Sequence, residues 1–119
     1  MKSLKFVLLG LALGSAASMA GDCVAPGTPQ LVEGEDSTME QMIASQKAVK
    51  EFQAASQDYR SCLQLQLDAA EAAVEEGTEG AAESLQEIHE TYNASVSAEE
   101  EVAAKFNNEI RDYKTAHPG

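Results

Sequence analysis

The chain has 119 residues, of which 24% are charged and 5% are aromatic, and its formal net charge is −12. This charge argues against non-specific binding to nucleic acid and against attraction to anionic lipid. The length allows one domain, and the scarcity of large apolar side chains predicts a thin core.

Residues 1–20 have the layout of a secretory signal peptide. Lys2 and Lys5 precede an apolar run over 6–13, and small residues follow up to Ala20. The run is shorter than the ~20 residues of a membrane-spanning helix, so we expect cleavage after Ala20 and a periplasmic or secreted protein. Cys23 raises the alternative of a lipid anchor. Asp22 argues against it, because lipid attachment needs a small residue before the cysteine.

Residues 21–36, called the leader below, are predicted to be extended. They contain two prolines and two internal glycines, Pro26, Pro29, Gly27 and Gly34, and show no helical period. The apolar residues Leu31 and Val32 could pack onto a neighbouring element.

A first helix is predicted over about 38–76. Ser37 and Glu40 match a capping box, which predicts Ser37 as the N-cap, and Gly77 is a typical stop. The predicted apolar stripe consists of Met42, Val49, Phe52, Tyr59, Leu63 and Ala70, widened by Ile43, Ala48, Ala55, Cys62, Gln66 and Leu67.

Residues 77–80 are predicted to be a turn, followed by a second helix over about 81–115. Its stripe consists of Leu85, Ile88, Tyr92, Val96, Ala103, Phe106, Ile110 and Tyr113. Ser97 and Glu100 repeat the capping-box pattern, so a break near 95–97 is left open. The sequence therefore predicts an all-α fold, in which residues 37–117 form an antiparallel two-helix hairpin.

Cys23 and Cys62 favour a disulfide, as expected for two cysteines in a short exported chain. A redox pair would normally show C-x-x-C spacing, and a metal site needs more ligands. An extended leader reaches about 50 Å, whereas Cys62 lies about 36 Å from the start of the first helix. The leader can therefore fold back along this helix as a third segment of the bundle.

These residues also carry a resemblance. Cys23, Pro26 and Pro29 precede the helix, Tyr59 and Cys62 form Y-x-x-C within it, and Phe106-Asn107 and Tyr113-Lys114 come later. In this pattern the chain resembles small exported α-helical proteins of proteobacteria whose function is uncharacterised. The resemblance implies a periplasmic setting and a paired Cys23–Cys62, and it implies no activity.

The charges are unevenly distributed, with no Lys or Arg between Ser61 and Ala104. Glu75, Glu76 and Glu79 near the turn could share a weakly held Ca²⁺, although EF-hand spacing is absent; the alternative is a solvated acidic tip. A di-iron helix carries a Glu-x-x-His motif. Three residues before His89 the chain has Gln86, an amide in place of the carboxylate, so the motif is absent there.

We find no catalytic constellation or cofactor motif and expect a non-enzymatic interaction or structural protein. Two such helices cannot bury all of their apolar surface against each other, which predicts self-association or a protein partner. The alternative is a module that binds a cation or small ligand at the acidic tip.

Overall fold

A computed structural model describes residues 22–119; the predicted signal peptide, residues 1–20, lies outside the described residues. A 3-10 turn at Gly34–Asp36 precedes two long helices, α1 at Met39–Glu75 and α2 at Ala81–Ala116. The described part of the chain contains no strand, which confirms the all-α prediction. None of its helices combines the length and the apolar character needed to cross a membrane.

The start of α1 differs from the prediction by one residue. Thr38, not Ser37, is the N-cap: its hydroxyl accepts from the Gln41 backbone N–H at 3.1 Å, and the Gln41 side chain accepts from the Thr38 N–H at 2.8 Å. Ser37 is buried, and its hydroxyl donates to the Glu33 carbonyl at 2.6 Å. The prediction of Ser37 and Glu40 was wrong because this hydroxyl is used to close the preceding 3-10 turn.

The end of α1 is a Schellman motif centred on Gly77. The Thr78 N–H donates to the Ala73 carbonyl at 2.9 Å, and the Gly77 N–H donates to the Val74 carbonyl at 3.0 Å. Gly77 has φ of +77° and Gly80, the N-cap of α2, has φ of +81°. Both values lie in the left-handed region that glycine adopts without a Cβ penalty, so these two residues permit the tight reversal.

Helix α2 is continuous across 95–97, so the second capping-box pattern does not start a new helix. A break there would uncover Ser95, which is buried against α1. Tertiary packing therefore overrides the local pattern.

The core lies mainly between the leader and the open end of the hairpin, away from the turn. Five buried residues form one cluster: Met42, Val49, Phe52, Val102 and Phe106. Partly buried side chains of the leader and of α2 pack against this cluster. Leu31 and Val32 of the leader are among the packed neighbours, which confirms the leader as a third segment of the bundle.

The leader lies between the two helices and contacts both. The Val32 N–H donates to the Ser45 hydroxyl of α1 at 3.4 Å, and the Gly34 N–H donates to the Glu109 carboxylate of α2 at 2.8 Å. A Cβ on Gly34 would overlap the Glu109 carbonyl, so the leader approaches α2 more closely than any other residue would allow. The Cys23–Cys62 disulfide, with Cα atoms 5.7 Å apart, holds the far end of the leader on α1.

Candidate functional site

The disulfide divides the hairpin into two parts that are used as names below. The open half comprises residues 22–62 and 95–119, and the turn half comprises residues 63–94. The open half contains the leader and the core cluster, whereas the turn half consists of the two helices and the turn between them. Two of the grooves combine apolar lining residues with room for a side chain or a segment of another molecule, one in the open half and one largely in the turn half.

The groove of the open half, called the open-end groove, has a volume of about 290 Å³. It lies between the first turns of α1 and the last turns of α2 and is lined by Met39, Met42, Ile43, Gln46, Phe106, Ile110, Tyr113 and Lys114. Six of these eight side chains are apolar or aromatic, so the groove offers chiefly an apolar contact surface.

No described leader residue lines the open-end groove. Met39 and Ile43 are each 56% exposed at its edge, whereas most large apolar side chains of the described bundle are buried or half-buried. Ile43 was predicted to widen the buried stripe of α1, and the structure corrects that prediction. It lies outside the surface that α2 and the leader can cover, because two helices leave part of each other's circumference open.

The groove of the turn half, called the turn-half groove, has a volume of about 540 Å³ and continues the path of the leader beyond the disulfide. One end is formed by Asp22, Cys23 and Val24, and its walls are Tyr59, Leu63 and Gln66 of α1 with Glu87, Ile88 and Thr91 of α2. Leu63 is 3% exposed and forms an apolar floor, while Glu87 and Thr91 are exposed at the edge.

An ion pair marks the boundary between the halves. The Arg60 guanidinium donates to the Glu99 carboxylate at 2.8 Å and to the Ser95 hydroxyl at 3.1 Å, and both charged side chains are mostly covered. Arg60 thereby links α1 to α2, and its charge is already matched by an acid of the same chain.

The acidic residues considered for a cation site lie at the turn and are all exposed. Glu75 is the last residue of α1, Glu76 is its C-cap, and Glu79 belongs to the turn. Within residues 22–119 the structure brings no three His, Cys, Asp or Glu side chains together in a way that could hold a metal ion. His89 is exposed on α2.

Sequence reasoning missed three buried serines at the centre of the bundle. Ser45 is 4% exposed, Ser56 is 1% exposed and Ser95 is 8% exposed. Ser45 and Ser56 continue the alternating three- and four-residue spacing of the α1 stripe, and Ser95 does the same in α2. That spacing is the signal that could have found them, since small side chains on such a stripe let neighbouring segments approach closely.

The stripe of α2 was also displaced in part. Phe106 is buried as predicted, but Val102, rather than Ala103, joins the core cluster at 6% exposed.

Comparisons with protein-family models, with curated proteins and with solved structures found no match for this chain.

Proposed function

We propose that this chain is a non-enzymatic, exported interaction protein that acts by packing its helices against another helical surface. The observation that carries the proposal is the open-end groove, where the apolar residues Met39 and Ile43 are each 56% exposed. Apolar side chains lining a groove between helices are typical of surfaces that accept another helix.

A second copy of the chain is the occupant that we assign to the open-end groove, because two such hairpins can complete a four-helix bundle. The open half has twelve acids together with six Lys or Arg residues, whereas the turn half has eight acids and no Lys or Arg; the six are Lys47, Lys50, Arg60, Lys105, Arg111 and Lys114. Two-fold symmetric pairing through the two open-end grooves keeps the acidic turn halves of the two copies apart. It also packs four helices together at the open ends, as in a four-helix bundle.

Export is part of the proposal, because disulfides persist in oxidising compartments. The Cys23–Cys62 bridge supports a periplasmic or extracellular location, together with the signal-peptide pattern of residues 1–20.

The test is sedimentation velocity of the oxidised protein over a wide concentration range, with Ile43→Glu and Leu65→Glu as matched variants. Leu65 is 70% exposed and does not line the open-end groove, so it controls for the introduction of a charge at an exposed apolar position. We expect wild type and Leu65→Glu to form a concentration-dependent dimer and Ile43→Glu to remain monomeric. A wild-type protein that stays monomeric throughout, or a dimer that tolerates Ile43→Glu, would contradict self-pairing through this groove.

A further inference from the structure

The leader shows how an extended chain lies in the groove between the two helices. Leu31 and Val32 pack onto the core, and backbone N–H groups of Val32 and Gly34 donate to side-chain oxygens of α1 and α2. The turn-half groove is the continuation of this path past Cys23. Its shape therefore suits an extended segment approaching along the same line.

The lining of the turn-half groove suits a segment with an aliphatic side chain. Leu63 forms the floor, and Ile88 and the Tyr59 ring are half-buried beside it. The exposed Glu87 and Thr91 place side-chain oxygens at the edge, where they can accept hydrogen bonds from a guest backbone, as Ser45 and Glu109 do for the leader.

The charge of the turn half determines which sign of charge a bound segment should carry. Eight acids lie in residues 63–94 without a Lys or Arg, and they are Asp68, Glu71, Glu75, Glu76, Glu79, Glu83, Glu87 and Glu90. The nearest arginine in sequence, Arg60, is paired with Glu99. The field at the groove is therefore negative and attracts a basic segment, within the Debye length of about 8–10 Å at ordinary salt.

The leader of a second copy does not meet this requirement. It carries four acids, Asp22, Glu33, Glu35 and Asp36, and no Lys or Arg. Its entry would add like charge to the groove, which disfavours binding. The complementary occupant is a segment of a different protein.

We propose that the turn-half groove binds an extended, basic segment of a partner protein, with an aliphatic side chain on Leu63 and Ile88 and a Lys or Arg beside Glu87. This inference goes beyond the proposed self-pairing and does not depend on the open-end groove. The two surfaces share no lining residue, so variants of one leave the other intact.

The probe is a fluorescein-labelled heptapeptide in which lysine alternates with valine and leucine, measured by fluorescence anisotropy against the oxidised protein. A peptide with glutamate in place of lysine is the charge control. Glu87→Lys reverses a charge at the groove, and Glu71→Lys makes the same change at an exposed residue of α1 that does not line it. Thr91→Trp fills the groove without changing its charge.

We expect the lysine peptide to bind and the glutamate peptide not to bind. Glu87→Lys and Thr91→Trp should each weaken binding about tenfold, and Glu71→Lys by less than about threefold, because only the first two alter the groove itself. Circular dichroism checks that each variant keeps the helical content of wild type.

Three results would overturn the inference. The first is no binding of the lysine peptide, and the second is equal weakening by Glu87→Lys and Glu71→Lys, which would mean diffuse attraction without a defined site. The third comes from sedimentation: if Thr91→Trp dissociates a dimer that Ile43→Glu leaves intact, the groove is filled by a second copy instead. That pattern would also contradict the proposed use of the open-end groove, whereas failure of peptide binding alone would not.

Discussion

The open half and the turn half are built from the same two helices, yet the buried core of each half is formed in a different way. In the open half the leader supplies a third segment, and the whole core cluster of Met42, Val49, Phe52, Val102 and Phe106 lies there. In the turn half the helices have only each other, and the buried residues are Leu63, Leu67, Ala70 and Ala81.

A short extended segment can therefore replace a third helix where small side chains allow it to come close. Gly34 touches the backbone of α2, and Ser45 gives the leader a hydrogen bond in place of bulk. The cost of this solution is the entropy of ordering the leader, which the disulfide reduces by restricting the unfolded chain. We expect stability to be concentrated in the open half, where the leader completes the core.

The largest expected loss of stability comes from the core cluster of the open half. Phe52 is 6% exposed, so Phe52→Ala should lower the free energy of unfolding by about 3–5 kcal/mol, because it leaves a cavity between the helices and the leader. Leu65→Ala in the turn half should change it by less than about 0.5 kcal/mol, since that side chain is 70% exposed. Chemical denaturation followed by circular dichroism measures both. Similar losses for the two variants would contradict the burial of Phe52 between the helices and the leader.

Removing the bridge should have the next largest effect. The disulfide closes a loop with a sequence separation of 39, and the double variant of Cys23→Ala with Cys62→Ala should lose about 3–4 kcal/mol on the chain-entropy estimate. Native helical content should persist in the absence of denaturant. A denaturation midpoint equal to that of wild type would show that packing alone holds the leader in place.

Replacing one glycine in each half by alanine should lower the free energy of unfolding, for a different reason in each case. Gly34→Ala should cost about 1–3 kcal/mol, because its Cβ would overlap the backbone of α2 and push the leader away. Gly27→Ala, also in the leader, is the matched control, since a Cβ there meets nothing within 4 Å. A Gly34→Ala protein as stable as Gly27→Ala would contradict the close approach of the leader to α2.

In the turn half, Gly77→Ala should cost about 1 kcal/mol through its backbone conformation. Its φ of +77° is unfavourable for alanine, although a Cβ there meets nothing within 4 Å. The loss should be the same with the disulfide oxidised or reduced, because the turn does not contact the leader. A thermal unfolding series under both conditions measures this, and a loss that appears only in the oxidised protein would couple the two halves.

Much of the fold could be predicted from the sequence because local signals and packing agree. Gly77 ends α1 where a helix stop was predicted, and the apolar spacing of 38–76 and 81–115 gives helices within one residue of those observed. The course of the leader followed from chain length and the position of Cys62, since few other paths close such a bridge.

What could not be predicted depends on competition between nearby groups. Ser37 and Thr38 are both good N-caps, and the choice of Thr38 depends on a hydrogen bond from Ser37 to Glu33 that local pattern does not specify. Of the candidate surfaces, the acidic turn half was visible in the sequence. The two grooves were not, because each is formed by residues of α1 and α2 whose facing partners are set only by packing.

The most direct test of the account is native-state hydrogen exchange of backbone amides by NMR, with the disulfide oxidised and reduced. The reporters are the Val32 and Gly34 amides of the leader, which donate to α1 and α2, and the amides of Leu67 and Ile88 in the turn half. We expect reduction to speed exchange of the leader amides more than about tenfold, while exchange of the turn-half amides changes much less. Equal acceleration in both halves would show that the molecule opens as one unit and would contradict the division between a leader-stabilised half and a two-helix half.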